Sequence, residues 1–318
     1  MSHIFDALQR SESESSGVEN PVFSIATELL QAAEQKMHEA GAMVERQAGT
    51  NGDRQAGTSV EPPASADSFD PTPSSSSFHD LERCPVLPVS LREESRLVSV
   101  AHDESLGSEK FRFLAVRLRQ LRQSRPLKKI LITSTIPQEG KSTVAANLAC
   151  TLARRRQQKT LLLEGDLRRP TVAAQFGLGK VPGLCERLSG QTESLNIYRL
   201  ESLGLWVLPA GTAPQNPLEL MQSGKLSSLM DRLEAWFDWI VIDSPPVLPL
   251  ADTSVLSRLA DGILLVTRKG TTEKQQLQRG LEALEKSKLL GALVNASANA
   301  AHSDYYQRYS SSSVAQAK

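Results

Sequence analysis

The 318 residues carry 36 Lys and Arg against 36 Asp and Glu, yet the halves differ: residues 1–100 hold 7 basic and 16 acidic side chains, a net of −9, and the rest a net of +9. All three Trp and all four Tyr lie after position 100, so one globular domain behind a long, core-poor arm is expected rather than two domains. No run of eighteen apolar residues and no charged-then-apolar leader occurs, and Cys84, Cys150 and Cys185 lack CxxC or metal-ligand spacing, which excludes a spanning helix and a disulfide framework and predicts reduced thiols in a cytoplasmic protein.

In chain order, Ile4, Phe5 and Leu8 fall at helical spacing in MSHIFDALQR. They predict a short amphipathic helix, either docked on its own domain or anchored to a partner. Ile25, Leu29, Ala33, Met37 and Val44 predict a second, weakly apolar helix over 24–47. From Gly49 to about Phe78 the chain is Gly, Ser, Pro, Asp and Thr, including PTPSSSS. Such a segment buries too little apolar surface to offset its ordering entropy and is expected to be disordered. The arm thus covers 1–88. After it, Val98 and Val100 suggest an edge strand, and Asp103 or Ser105 can cap a helix to about Arg122. Phe111, Leu114, Leu118 and Leu121 share one side of that helix. Arg112, Arg117, Arg119 and Arg122 form the other, a solvated or a binding face.

The stretch ILITSTIPQEGKSTVAANLAC places a short buried strand (Ile130, Leu131, Ile132) before a loop that opens a helix at Gly140, Lys141, Ser142 and Thr143. Loop N–H groups and the helix dipole suit a phosphate chain, a Lys here reaches β- and γ-phosphates, and a Ser hydroxyl here holds Mg²⁺. The usual first Gly of this pattern is replaced by Thr135. Next, Thr160–Leu163 reads as a strand buried on both faces, ending in Glu164 and Asp166. In extended chain that spacing points both carboxylates the same way, over the metal and the γ-phosphate. Leu205–Leu208 is another strand, followed by a turn through Asn216-Pro217. Trp239–Ile242 is a strand closed by Asp243, the position from which a nucleotide site anchors Mg²⁺ or its water. Strands at 262–267 and 291–295 flank an amphipathic helix. This alternation predicts an α/β fold, a doubly wound, mostly parallel sheet flanked by helices, with the site at the strand C-termini. The flexible tail, 301–318, gathers Tyr305, Tyr306 and Tyr309 among serines with no apolar period, which suits a tail used as substrate or ligand. The basic half shows no nucleic-acid reader and little aromatic interleaving, so no nucleic acid is expected.

With these residues assembled, the chain resembles the bacterial tyrosine kinases (BY-kinases) of polysaccharide synthesis and export, P-loop ATPases related to MinD and ParA. STIPQEGKSTVAANLA resembles the family's Walker A motif, LLLEGDLRRP its Walker A′ and IVIDSPP its Walker B, within a kinase domain spanning 89–300. The MinD/ParA signature lysine would fall at Ile136. The resemblance implies an ATP- and Mg²⁺-dependent autokinase of exopolysaccharide assembly. In it Lys141 contacts the β- and γ-phosphates, Ser142 ligates Mg²⁺, Thr143 lies on the α-phosphate side, and Asp166 and Asp243 support the metal. Position 164 is the presumed base, usually Asp but here Glu164, and Asn295 matches an adenine contact. Tyr305, Tyr306 and Tyr309 would be phosphorylated in trans within a homo-oligomer. Glu109 and Arg112 match the ring-forming Glu-x-x-Arg-x-x-Arg, with Ala115 in its last place. Without a spanning helix the chain resembles the stand-alone form, cytoplasmic and peripheral to the inner membrane, which meets a membrane polysaccharide co-polymerase as its activator. The alternatives are a MinD/ParA-like ATPase switch and a pseudokinase scaffold of the same system.

Overall fold

The structure is a computed structural model and describes residues 81, 83–91 and 95–295. The expected arm helices, the low-complexity stretch 49–78 and the tyrosine tail lie outside the described residues.

Five apolar runs build the sheet's interior: β1 (Lys129–Ser134), β2 (Thr160–Glu164), β4 (Leu205–Leu208), β5 (Trp239–Asp243) and β6 (Gly262–Arg268), with β3 (Tyr198–Leu200) and β7 (Leu289–Asn295) at the edges. Their order is β3-β4-β2-β5-β1-β6-β7, and every pairing is parallel except β3 with β4. A parallel sheet is stable only with both faces covered, and strand alternation delivers this. Leu131, Leu161, Leu163, Ile240 and Ile242 enter one core, and Ile130, Ile132, Leu162, Trp239 and Val241 enter the other.

Ahead of β1 lie α1 (Val98–Ala101) and α2 (Leu106–Ser124), and between strands run α3 (Lys141–Ala153), α4 (Val172–Phe176), α5 (Leu184–Ser189), α6 (Pro217–Gln222), α7 (Lys225–Trp236), α8 (Asp252–Leu259) and α9 (Lys274–Glu282). In α3 every residue from Val144 to Ala153 is buried, because it lies between the sheet and the α1–α2 pair. A helix apolar on all sides belongs in such a place. Ser105 caps α2, its hydroxyl accepting the Ser108 N–H at 3.2 Å, with Glu109 in the first turn and Arg122 in the last, both favourable to the dipole. The Asn216-Pro217 turn is the cap and first residue of α6. Among the described residues no helix is long and apolar enough to cross a membrane.

One expected element is corrected. Val98 and Val100 belong to α1, one helical turn, and not to an edge strand. A two-residue alternation is too short to specify a strand, and a buried side chain of α3 decides the outcome. Asn147 Oδ1 accepts from the Ser99 N–H (3.0 Å) and hydroxyl (2.9 Å), while its Nδ2 donates to the carbonyls of Arg96 (2.9 Å) and Thr143 (2.8 Å). The carboxamide thus uses all its capacity to bind α1 to the helix that follows the phosphate loop. Asn147→Ala strands these partners in a dry interface and is expected to lower stability by about 2–3 kcal/mol, read as an earlier midpoint in urea unfolding. An unchanged midpoint would remove this residue as the tie.

Candidate active site

β1 ends at Ser134 and α3 starts at Lys141, so six residues must turn the chain around an anion-sized space. Gln138 (φ 67°) and Gly140 (φ 92°) supply the left-handed steps. Thr135 has no positive φ, which explains why glycine is dispensable there. The φ of Gly140 favours glycine there, and a Cβ would come within 2.2 Å of Asn295 Nδ2 and push that amide aside. Inside the loop the Ser134 hydroxyl donates to the Ile136 carbonyl (2.8 Å) and the Ile136 N–H to Glu139 Oε2 (2.8 Å). The Thr272 hydroxyl donates to the other Glu139 oxygen. Glu139 is fully buried and was not singled out from sequence. An acid between a Pro-Gln turn and Gly-Lys-Ser carries no periodic signal, and its partner Thr272 is remote in sequence.

The acidic side of the site comes from β2 and β5. Their register sets Glu164 beside Asp243, and β1 sets Ile132 on Asp243's other side. Lys141 Nζ lies 2.7 Å from Asp166 Oδ2 and 3.9 Å from Asp243 Oδ1. Asp166 Oδ1 accepts the Arg169 N–H at 3.1 Å. Asp243 is completely buried, and neither of its carboxylate oxygens has a hydrogen-bond partner. Burial pushes its carboxyl up to about 7, against the pull of Lys141 and of the Ser142 hydroxyl, which lies near it without reaching hydrogen-bond geometry. Buried, unpartnered carboxylate oxygens facing a helix that begins Lys141-Ser142 are what a Mg²⁺ site needs. That ion takes one or two carboxylates, a hydroxyl, phosphate oxygens and waters rather than a full protein cage. No cluster of three or more His, Cys, Asp or Glu side chains fit to hold a metal occurs among the described residues.

The paired-carboxylate expectation needs correction. Glu164 and Asp166 do not face the same way, because β2 stops at Glu164 and the chain turns at once. The Gly165 N–H donates to the Asp243 carbonyl (2.7 Å) and the Leu167 N–H to the Gly165 carbonyl (3.1 Å). Asp166 therefore lines the cavity while Glu164 is buried outside its walls. The Glu164 carboxylate accepts from the N–H groups of Thr171, Val172 (2.6 Å) and Ala210 (2.9 Å). Burial raises its pKa and these three amides oppose the rise.

The cavity over this loop measures about 950 Å³, with Gly140, Lys141, Ser142, Thr143 and Asp166 at its base and Arg96, Arg168, Arg169 and Arg268 among its walls. Of these, Arg168 and Arg169 stand in LLLEGDLRRP, and local sequence gives none of the four a role. Arg168 is held by a two-point pair to the buried Asp252, at 2.5 and 3.2 Å. Asn295, expected at the adenine, ends β7 with its Nδ2 donating to the Glu139 carbonyl at 2.9 Å, against the loop backbone and not in the cavity wall. On α2, Arg112 binds Glu109 at 2.5 Å and also Asp103, all three partly exposed, and Ala115 is buried. Tyr305, Tyr306 and Tyr309 lie outside the described residues.

Comparison with known proteins gives consistent findings. The tyrosine-protein kinase YwqD of Bacillus subtilis is 37% identical over 219 residues, covering 67% of this chain and 91% of that protein. The tyrosine-protein kinase CpsD of Streptococcus agalactiae is 32% identical over 187 residues, 58% of this chain and 80% of the relative. Among solved structures, the chimerical protein CapA2B2 superposes with a TM-score of 0.60 at 33% identity, covering 66% of this chain and 93% of that one. The kinase domain of the Escherichia coli tyrosine kinase ETK gives 0.59 at 28% identity, covering 63% and 79%. No family model matches the chain.

The Asp243 carboxyl keeps its proton to about pH 7 in the fold, whereas the unfolded chain releases it near 3.8. Between those values the unfolded state is the more ionised, so rising pH costs the metal-free protein stability, and the loss is complete above about 7. Asp243→Asn is therefore expected to raise the metal-free melting temperature at pH 8 by on the order of 5 °C, with the gain vanishing near pH 4. Thermal melts at the two pH values read this out, and an equal or negative shift at pH 8 would contradict it.

Proposed function

The chain belongs to the bacterial tyrosine-protein kinases, and from that membership we propose that it transfers the γ-phosphoryl group of ATP to Tyr305, Tyr306 and Tyr309 of a neighbouring copy's tail. The observation that carries the reading is the placement of Lys141 Nζ between Asp166 (2.7 Å) and the unpartnered Asp243 (3.9 Å) at the start of α3. Lys141 exchanges its Asp166 contact for the β- and γ-phosphates. The backbone from Gly140 to Thr143 cradles the chain of phosphates, Thr143 toward the α-phosphate. Ser142, Asp166 and Asp243 are the groups that would hold Mg²⁺, which when bound offsets charge on the transferring phosphoryl group. The tyrosine oxygen forms the new P–O bond as the bond to the bridging β–γ oxygen breaks, ADP departs, and the phenolic proton passes to solvent or a carboxylate. Little covalent chemistry is asked of the protein, so position and charge dominate.

The same reading places the protein at the cytoplasmic face of the inner membrane through a membrane polysaccharide co-polymerase that activates it, and makes exopolysaccharide assembly the process it controls. Asn295 steadies the phosphate loop through the Glu139 carbonyl. Self-association uses α2, where Glu109 and Arg112 stand beside the exposed Phe113 (73%) and Val116 (46%). Each phosphate added to the tail carries about −1.5 to −2 charges and repels the next, which releases the tail from its neighbour.

Two measurements test the proposal. With labelled ATP and the activator present, the wild type should label its tail. Lys141→Met should lose on the order of a hundredfold or more, and a variant with Tyr305, Tyr306 and Tyr309 all changed to Phe should take up no tail label. ATP hydrolysis without label would favour the ATPase switch, and neither activity a scaffold. Removing residues 1–20 should weaken co-purification with the membrane partner, and undiminished recovery would remove the arm helix from that contact.

A further inference from the structure

The mechanism above leaves Glu164 without a part, and its surroundings suggest one. We propose that Glu164 is a positioning residue, a clamp that closes the loop 165–171 around the phosphate site, and not the base that takes the tyrosine proton. This deepens the kinase reading and rests on it for the reaction, though not for the clamp itself.

The geometry is that of a closed ring. At its start, the Gly165 N–H is bound to the Asp243 carbonyl (2.7 Å). A Cβ there would fall 2.9 Å from that carbonyl oxygen and 2.8 Å from Leu256 Cδ1, so only glycine lets the chain cross this close. At its end, the N–H groups of Thr171 and Val172 return to Glu164 Oε1, the carboxylate just before the ring. Glu164 Oε2 takes the Ala210 N–H from the loop after β4 (2.9 Å), tying a third segment to the same point. Both oxygens are thereby committed, in a side chain with no exposure. A base must reach the hydroxyl it deprotonates within about 2.6–3.2 Å, and Glu164 is no part of the cavity wall.

What rides on the ring is functional. Asp166, Arg168 and Arg169 all line the cavity. Asp166 is held inside the ring by the Arg169 N–H (3.1 Å), and Arg168 outside it by Asp252. Glu164 thus acts through Asp166 and the two arginines by fixing the segment that bears them. The residue type fits this task. An Asp here, the family's usual choice, would end about 1.5 Å short and could not keep Thr171, Val172 and Ala210 together within hydrogen-bonding distance. Buried amides would be left unpaired.

The test uses the full chain with Glu164→Gln, Glu164→Asp and, as a reference, Asp166→Asn. Three quantities are measured: Mg·ADP affinity by calorimetry, amide exchange at Thr171, Val172 and Ala210, and tail labelling against ATP concentration. A clamp predicts that both Glu164 variants bind Mg·ADP about tenfold more weakly and exchange those three amides faster. It also predicts that kcat at saturating ATP stays within about tenfold of wild type. A base predicts the reverse: Glu164→Gln binds normally and loses more than a hundredfold in kcat, while Glu164→Asp stays active. That result overturns the proposal, as does unchanged binding and exchange. Should one variant fail to fold, the other decides. If the wild type itself labels nothing, the kinase reading fails, and the binding and exchange measurements still judge the clamp.

Discussion

The arrangement depends on a charge balance at the C-terminal ends of two neighbouring strands. Three carboxylates, Glu164, Asp166 and Asp243, stand where β2 and β5 finish, and Lys141 is the cation set between the last two. Each is compensated differently. Asp166 takes the ammonium and one amide N–H. Glu164 takes three amide N–H groups. Asp243 makes no hydrogen bond of ordinary geometry, and burial, opposed by Lys141 and the nearby Ser142 hydroxyl, drives its carboxyl up to about 7. A buried ionisable group left in this condition is a cost to the fold, and such costs concentrate where a site needs them. The rest of the architecture serves this spot. The parallel register brings the strand ends level, the two cores keep water from beneath them, and α3 aims its first N–H groups at the same place.

Much of this was legible before any coordinates. Leu131–Ile132, Leu161–Leu163 and Trp239–Ile242 are apolar without alternation because both sheet faces are covered, so their strands stand out. Gly140-Lys141-Ser142 and Asp243 are read from their places after those strands. What stayed hidden follows a pattern. The reasoning that aligned Glu164 with Asp166 assumed extended chain, and the turn at Gly165 breaks the period just where the strand ends. Val98 and Val100 suit a strand or a helical turn equally, and the choice was made by Asn147, about fifty residues away. Glu139 and Thr272 close the phosphate loop through a contact spanning more than 130 residues. Local periodicity contains none of these long-range hydrogen bonds.

The basic face of α2 shows how one stripe divides into separate tasks. Arg112 is drawn into the Asp103–Glu109 group at the start of the helix, and Arg154 of the next segment joins Asp103 as well. Arg122 stacks over the buried Trp239 ring, 4.7 Å from its centroid, a guanidinium use that lysine would match poorly. Arg119 is half-buried, and burial together with the neighbouring Arg155 lowers its pKa. Ala115, which occupies the last place of the ring-forming pattern, is fully buried against the second core. An arginine could not sit there without displacing that packing, so any contact between copies through α2 must be carried by Glu109, Arg112 and their exposed neighbours.

The basic side chains of the described domain have two destinations. Some are paired with carboxylates of the same domain. Arg168 is fixed to Asp252, Arg154 to Asp103, and Lys129 lies between Glu234 and Asp261. Such partly buried pairs chiefly set geometry, since desolvation offsets most of their attraction. Others rim the cavity, where Arg96, Arg169 and Arg268 surround the space above Lys141. A ring of cations converging on one concave site focuses its field on a compact polyanion, whereas a nucleic-acid surface would spread the same charge along a groove with stacking aromatics. The three tryptophans lie in or against the cores, not along such a groove. The cations above Lys141 are therefore arranged for a compact anion rather than for an extended strand.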